Sequence, residues 1–154
     1  MYTHFPDHFS LREMSHTQVD LPNVPIGYQL SNLRSVAWIL EAVRSHVGKP
    51  LYINSGFRSK EVNARVGGSR TSHHLTGSAV DISIRNLTPG DLEVLERSLF
   101  NHYPCEFIKY DTFWHVAFDI SRIAKSSMPI TYEQEWPDSF PMSAPIPGNA
   151  DTDF

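Results

Sequence analysis

Three side chains with the chemistry of metal ligands, His74, Asp81 and His115, stand in a pattern that can form a metal centre. His74 and Asp81 are seven positions apart, and the small residues Gly77 and Ala79 between them allow a sharp backbone turn. His115 lies in an otherwise apolar segment, where a histidine must be hydrogen-bonded, exposed or bound to metal. Two histidines and a carboxylate, with a fourth position left for water, are typical of catalytic zinc. The spacing alone also allows three ordinary polar residues in a loop and a sheet edge.

Hydrophobic patterning predicts the elements that must position these residues. A Ser-x-x-Glu capping box at Ser10 predicts a short helix, apolar positions at three- and four-residue steps predict a longer helix over about 29–47, and Thr88-Pro89 predicts a third helix start. Strand patterns occupy four segments: 51–54, 79–84, 106–110 and 114–119. The last two form a predicted hairpin. Together these elements indicate an α+β domain with a small antiparallel sheet flanked by helices.

The charge distribution divides the chain into two parts. Residues 128–154 contain five acidic residues, five prolines and no lysine or arginine, which predicts a compact domain over 1–127 followed by an acidic, Pro-rich tail over 128–154. Removing these five charges from the net charge of −4 leaves +1 for the rest. A near-neutral body has no basic surface of the kind that binds nucleic acid, so no nucleic-acid partner is expected.

The sequence shows neither a membrane span nor a visible signal peptide. No apolar run approaches the roughly 18 residues that a membrane-spanning helix needs. The first eight residues lack a basic segment followed by an apolar one. We therefore expect a protein that is made in the cytoplasm.

Several short motifs occur in order over about residues 9–119. They are Ser55-Gly56-Phe57-Arg58-Ser59, Asn63, Val66-Gly67-Gly68-Ser69, Ser72-x-His74-x-x-Gly77-x-Ala79-x-Asp81 and Trp114-His115-Val116. This series resembles the zinc D-Ala-D-Ala carboxypeptidase family, which also contains phage and bacterial L-Ala-D-Glu endopeptidases. The resemblance implies a fold like that of these peptidases and of the Hedgehog signalling domain.

The resemblance also implies roles for individual residues. His74, Asp81 and His115 are expected to bind Zn²⁺. Arg58 resembles the arginine that holds the scissile carbonyl, and a guanidinium suits this role because it keeps its charge and offers a planar fork of donors to a developing oxyanion. Ser72 resembles a substrate-contacting hydroxyl. His73 is a weaker candidate for substrate binding, as a rim contact or a donor to another site residue.

The catalytic base is the point at which this sequence departs from many relatives. They place an acidic residue three positions before the last zinc histidine, where this chain has Thr112. Other relatives place the acid after a tyrosine at the end of the preceding strand, and Tyr110-Asp111 fits that arrangement. Asp111 is thus the predicted base, although an aspartate here can also simply nucleate the turn. Glu106 is the second choice, provided that it lies on the zinc-facing side of its strand.

The expected function is hydrolysis of peptide bonds by a zinc metallopeptidase, with peptidoglycan stem or cross-link peptides containing a D-amino acid as substrate. A compact chain without a visible signal peptide would suit a phage-encoded enzyme that reaches the cell wall through lysis or in a virion. Two alternatives remain open. One is a catalytically inactive module that keeps the zinc fold and binds the wall, and the other is a virion structural protein that acts through its tail.

Overall fold

The computed structural model describes residues 3–122 as an α+β fold, which confirms the predicted class. The helices are α1 Leu11–Met14, α2 Tyr28–Val47, α3 Lys60–Arg65 and α4 Pro89–Phe100, with a short 3-10 helix at His73–Thr76. The strands are β1 Ile53–Ser55, β2 Ala79–Ser83, β3 Glu106–Lys109 and β4 Phe113–Ala117. No helix within this range is long and apolar enough to cross a membrane. The predicted tail over 128–154 and its boundary lie outside the described residues.

The four strands form one antiparallel sheet in the order β1-β2-β4-β3. The pairing of β2 with β4 places Asp81 opposite His115, and the pairing of β3 with β4 places Ile108 opposite the same histidine. Directly opposite residues project from the same face of a sheet, because side chains alternate along each strand. Asp81 and His115 therefore share one face, at the centre of the sheet.

The opposite face of the sheet packs into the hydrophobic core. Val80 and Ile82 on β2 pair with Val116 and Trp114 on β4, and all four belong to the buried cluster. Helix α2 covers the core with a buried stripe at three- and four-residue spacing: Leu33, Val36, Ala37, Leu40 and Val43. All of these except Val36 belong to the predicted stripe, whose end positions Leu30 and Val47 are only half-buried. The core thus holds β2 and β4 rigidly and leaves Asp81 and His115 on the other face.

The helix boundaries follow from the caps that the sequence supplies. At the start of α4, the Thr88 hydroxyl accepts a hydrogen bond from the Asp91 backbone, and the Asp91 carboxylate accepts one from the Thr88 N–H. Helix α1 starts where the Ser10 hydroxyl accepts from Glu13 N–H. Helix α2 ends at Gly48, which adopts the left-handed conformation with φ 78°. All three predicted boundaries agree with the structure.

The loop from 55 to 78 contains more structure than its polar, glycine-rich sequence indicated. Helix α3 starts at the Ser59 cap, whose hydroxyl accepts from Val62 N–H, and the 3-10 helix follows at His73–Thr76. Both elements are too short for a hydrophobic period to be visible. Strand β1 also starts two residues later than predicted, and β4 ends at Ala117 instead of Asp119.

Candidate metal centre

The structure brings His74, Asp81 and His115 together in one cluster. One nitrogen or oxygen from each side chain lies within 4.8 Å of the others. The Nε2 atom of His74 is 3.2 Å from Asp81 Oδ1, and the Nδ1 atom of His115 is 2.9 Å from the same oxygen. The three side chains are only 3%, 9% and 13% exposed. Polar groups buried this closely need either protons shared between them or a cation.

The donor set fits zinc. A tetrahedral site with zinc–ligand distances of about 2.0–2.1 Å places neighbouring donor atoms about 3.4 Å apart, close to the separations from Asp81 Oδ1 to the two imidazoles. His74 Nδ1 lies 2.6 Å from the carbonyl oxygen of Gly56. That carbonyl can only accept, so Nδ1 carries a proton, and Nε2, which lies beside Asp81, is the nitrogen available to a metal. The hydrogen bond thus orients His74 as a metal ligand requires.

His115 is oriented in the same way through its other nitrogen. Its Nε2 atom lies 2.8 Å from Glu106 Oε1, while its Nδ1 atom lies beside Asp81. When Nε2–H donates to Glu106, the Nδ1 lone pair becomes available on the side where the three donors meet. The two histidines therefore direct different ring nitrogens toward the same point, Nε2 in His74 and Nδ1 in His115.

Local structure around the 3-10 helix positions His74. The Ser72 hydroxyl caps this helix by accepting from His74 N–H at 3.1 Å, and Gly77 ends it with φ 79°. A side chain at Gly77 would collide with the carbonyl oxygen of Gln29 on α2. The Asn32 side chain of α2 also donates to the Thr76 carbonyl. The long helix thereby fixes the distance of the 3-10 helix from the sheet.

Charge interactions within the cluster shift the pKa values of its members. Burial alone would raise the pKa of the Asp81 carboxyl, but hydrogen bonds from His115 and His74 outweigh burial and hold it well below its usual range. Burial would lower the pKa of His115, yet its hydrogen bonds to Asp81 and Glu106 raise it above the ordinary value. The two carboxylates thus favour positive charge at this point of the site.

Arg58 lies against this cluster with its guanidinium held from three sides. Its Nη2 atom is 3.5 Å from Asp81 Oδ2, Nε donates to the Ser55 hydroxyl, and Nη1 donates to Asn63 Oδ1. A side chain at Gly68 would collide with the Asn63–Arg58 pair, which explains the glycine there. Burial lowers the pKa of Arg58, with Asp81 opposing that effect, but a guanidinium remains charged. Arg58 thus presents a fixed cation beside the metal ligands.

The other predicted site residues occupy different positions. Ser72 caps the 3-10 helix, and His73 Nδ1 lies 3.1 Å from Glu106 Oε1. Asp111 is exposed in the turn of residues 110–112 between β3 and β4, and its carboxylate forms no hydrogen bond or ion pair with another side chain of residues 3–122. The structure thus brings Ser72 and His73 next to ligands but leaves Asp111 without such a contact. The substrate and base roles of these residues remain predictions.

Sequence reasoning missed the residues that orient the ligands. Gly56 acts through its backbone carbonyl, which carries no side-chain signature, although it lies within the Ser-Gly-Phe-Arg motif. Asn63 belongs to the same series of motifs, but the resemblance implies no role for it. For Glu106 the sequence suggests only the role of base. The alternation of β3 places it on the His115 face, and this alternation could have revealed the contact.

An α+β domain with a buried His-Asp-His set has the donor chemistry of a mononuclear zinc protein. The profile of the Peptidase M15 family matches residues 7–117, most of the chain, and the chain therefore belongs to that family. It is also similar to the zinc D-Ala-D-Ala carboxypeptidase of Streptomyces albus G, with 34% identity over 80 residues. These residues are 50% of this chain and 31% of the relative, so the similarity spans less than a third of that protein. The predicted family is confirmed, and Zn²⁺ is the cofactor that the family and the donor set imply.

Proposed function

We propose that this chain is a zinc peptidase that hydrolyses peptide bonds in peptidoglycan stem or cross-link peptides. The observation that carries the proposal is the convergence of His74, Asp81 and His115, with the guanidinium of Arg58 next to Asp81. Membership of the M15 family and similarity to a zinc D-Ala-D-Ala carboxypeptidase support both the reaction and the substrate class.

The positions of these side chains suit hydrolysis. Zinc bound at this site would polarise a carbonyl and lower the pKa of a bound water to about 7. Arg58 lies next to Asp81, and its hydrogen bonds to Ser55 and Asn63 hold its guanidinium in place. A positioned cation stabilises the negative charge that develops on the carbonyl oxygen during attack. Asp111 is proposed to accept the proton of the attacking water, as the resemblance implies.

The proposal extends to the type of bond that is cut and to the place where the enzyme acts. A carboxypeptidase would release the terminal D-alanine of a stem peptide, and an endopeptidase would cut within a stem or cross-link. The similarity to a D-Ala-D-Ala carboxypeptidase supports the former. We further propose that the protein acts at the bacterial cell wall and is phage-encoded, reaching its substrate through lysis or within a virion.

Mass spectrometry of muropeptides tests the function directly. Purified muropeptides are incubated with the zinc-loaded chain, with the chelator-treated chain and with the His74→Ala variant, and the masses of the products identify the bond that is cut. The proposal expects cleavage only by the zinc-loaded wild type. If the zinc-loaded protein binds purified peptidoglycan but leaves every muropeptide intact, the peptidase proposal is wrong and a wall-binding module replaces it.

A further inference from the structure

Glu106, at the start of β3, connects two histidines on the site face of the sheet. Its Oε1 atom lies 2.8 Å from His115 Nε2 and 3.1 Å from His73 Nδ1. His115 is a predicted metal ligand, and His73 is the direct neighbour of the ligand His74. One carboxylate oxygen therefore connects β4, which carries His115, to the 3-10 helix, which carries His74.

We propose that Glu106 is a positioning residue that fixes the tautomer and ring orientation of His115, so that Nδ1 and not Nε2 binds the metal. The inference rests on the zinc site of the proposed function, and it gives Glu106 a role other than that of general base. A carboxylate can only accept when ionised, so it keeps the proton of His115 on Nε2. Such outer carboxylates orient metal-bound imidazoles and raise their basicity.

Geometry separates this role from that of a base. The two nitrogens of an imidazole point away from each other, and His115 uses Nδ1 toward Asp81 and Nε2 toward Glu106. The Glu106 oxygen consequently lies on the far side of the ring from the point where the three donors converge. A general base must be within hydrogen-bond reach of the attacking water, about 2.6–3.2 Å, which this position does not favour.

His73 supplies the second restraint on the carboxylate. The side chain of Glu106 is 40% exposed, and an exposed glutamate would normally sample several rotamers. His73 is only 12% exposed and lies on the rigid 3-10 helix, so its contact limits the rotamers that Glu106 can adopt. The contact with His73 thereby holds the Glu106 carboxylate in position to accept from His115, independently of metal binding.

The test measures zinc affinity of the full-length chain by competition with a chromophoric chelator. Glu106→Ala should bind zinc about 10–100-fold more weakly, as is typical when an outer partner of a ligand is lost. Glu106→Gln should recover most of that loss, since its amide oxygen still accepts from Nε2–H. The matched control is Glu96→Ala, because Glu96 is similarly exposed, at 38%, and accepts from Lys109 on the same strand β3. This control should bind zinc like the wild type.

A second readout needs no variant. Long-range ¹H–¹⁵N NMR spectra of the zinc-loaded wild type should show His115 with its proton on Nε2 and its metal on Nδ1. Coordination through Nε2 would overturn the inference, as would wild-type affinity of Glu106→Ala. Wild-type affinity of both variants with abolished hydrolysis would instead make Glu106 the base. A wild-type chain that binds no zinc would refute the proposed function as well, so the two failures are distinguishable.

Discussion

Asp81 and His115 face each other directly across strands β2 and β4, with Asp81 Oδ1 2.9 Å from His115 Nδ1. Their meeting depends on strand register, because a slip by one residue would move one of the two side chains to the core face. Val80 and Val116, the next pair along, are fully buried on that other face and fix the register. The hydrophobic core thus determines the spacing of two candidate metal ligands.

The first prediction concerns metal content. The wild type should bind one zinc ion per chain, and Asp81→Ala or His115→Ala should weaken zinc binding by more than about 100-fold, since losing only an outer partner typically costs about 10–100-fold. Metal analysis after dialysis, followed by competition titration, measures this. The control is Glu41→Ala, which removes a carboxylate from a surface pair with His8 and should leave zinc bound. Equal zinc content in all variants would show that the metal binds elsewhere.

Zinc binding should also release a proton from His115. The contacts with Asp81 and Glu106 raise the pKa of this imidazole, so the metal-free protein keeps it protonated at pH values where an ordinary histidine has lost its proton. Zinc requires the unprotonated nitrogen, so its affinity should fall as the pH falls through that raised pKa. Calorimetry above about pH 6.5, where an ordinary histidine is mostly unprotonated, in buffers of different ionisation enthalpy, should still show proton release when zinc binds. A heat independent of the buffer would contradict this assignment.

Arg58 should affect turnover and not metal binding. The guanidinium of Arg58 lies beside Asp81 but is not itself a metal ligand. Arg58→Ala should therefore leave the zinc content unchanged, while kcat falls by roughly 10²–10³. Arg58→Lys should recover only part of the activity, because an ammonium cannot reproduce the planar fork. Steady-state kinetics on the cleaved muropeptide measure both variants. Normal turnover of the alanine variant would make Arg58 a structural member of its loop.

The conformation of Gly77 should matter for both stability and zinc. Gly77→Ala places a side chain at φ 79° and against the Gln29 carbonyl, so it should destabilise the fold by about 2–4 kcal/mol and displace His74. Gly48→Ala is the matched control, because Gly48 has φ 78° but open space around it. It should cost only about 1–2 kcal/mol and leave zinc affinity intact. Denaturant unfolding and zinc titration measure both, and equal losses in the two variants would rule out the contact with α2.

Elements with a long period or a recognisable cap were predictable from the sequence. Helix α2 shows its buried stripe in the spacing of Leu33, Ala37 and Leu40, and α4 shows its start in Thr88-Pro89. These helix signals are local, so no tertiary information was needed to find them. The grouping of His74, Asp81 and His115 was implied by the resemblance to a known family, because their spacing alone also allowed three ordinary polar residues.

The residues that orient the ligands could not be predicted in the same way. The contact between His74 and the Gly56 carbonyl joins positions 18 residues apart, and one partner is a backbone atom. The Arg58–Asn63 pair depends on the space left by Gly68. Such contacts result from how the 55–78 loop folds against α2, and single-sequence patterns do not encode that packing.

The last prediction concerns Asp111, the proposed base. It lies in the turn of residues 110–112, and this turn leads into β4, the strand that carries His115. Catalytic hydrogen bonds are often long in substrate-free proteins, which is consistent with its exposed position. Asp111→Asn should therefore retain fold and zinc but lose about 2–4 orders of magnitude in kcat, the effect expected when a general base is removed. Thr112→Val, in the same turn, is the control and should keep its activity. Glu106→Gln is measured in parallel. If Asp111→Asn turns over normally and Glu106→Gln is inactive, Glu106 is the general base. If both variants remain active, neither carboxylate is the base.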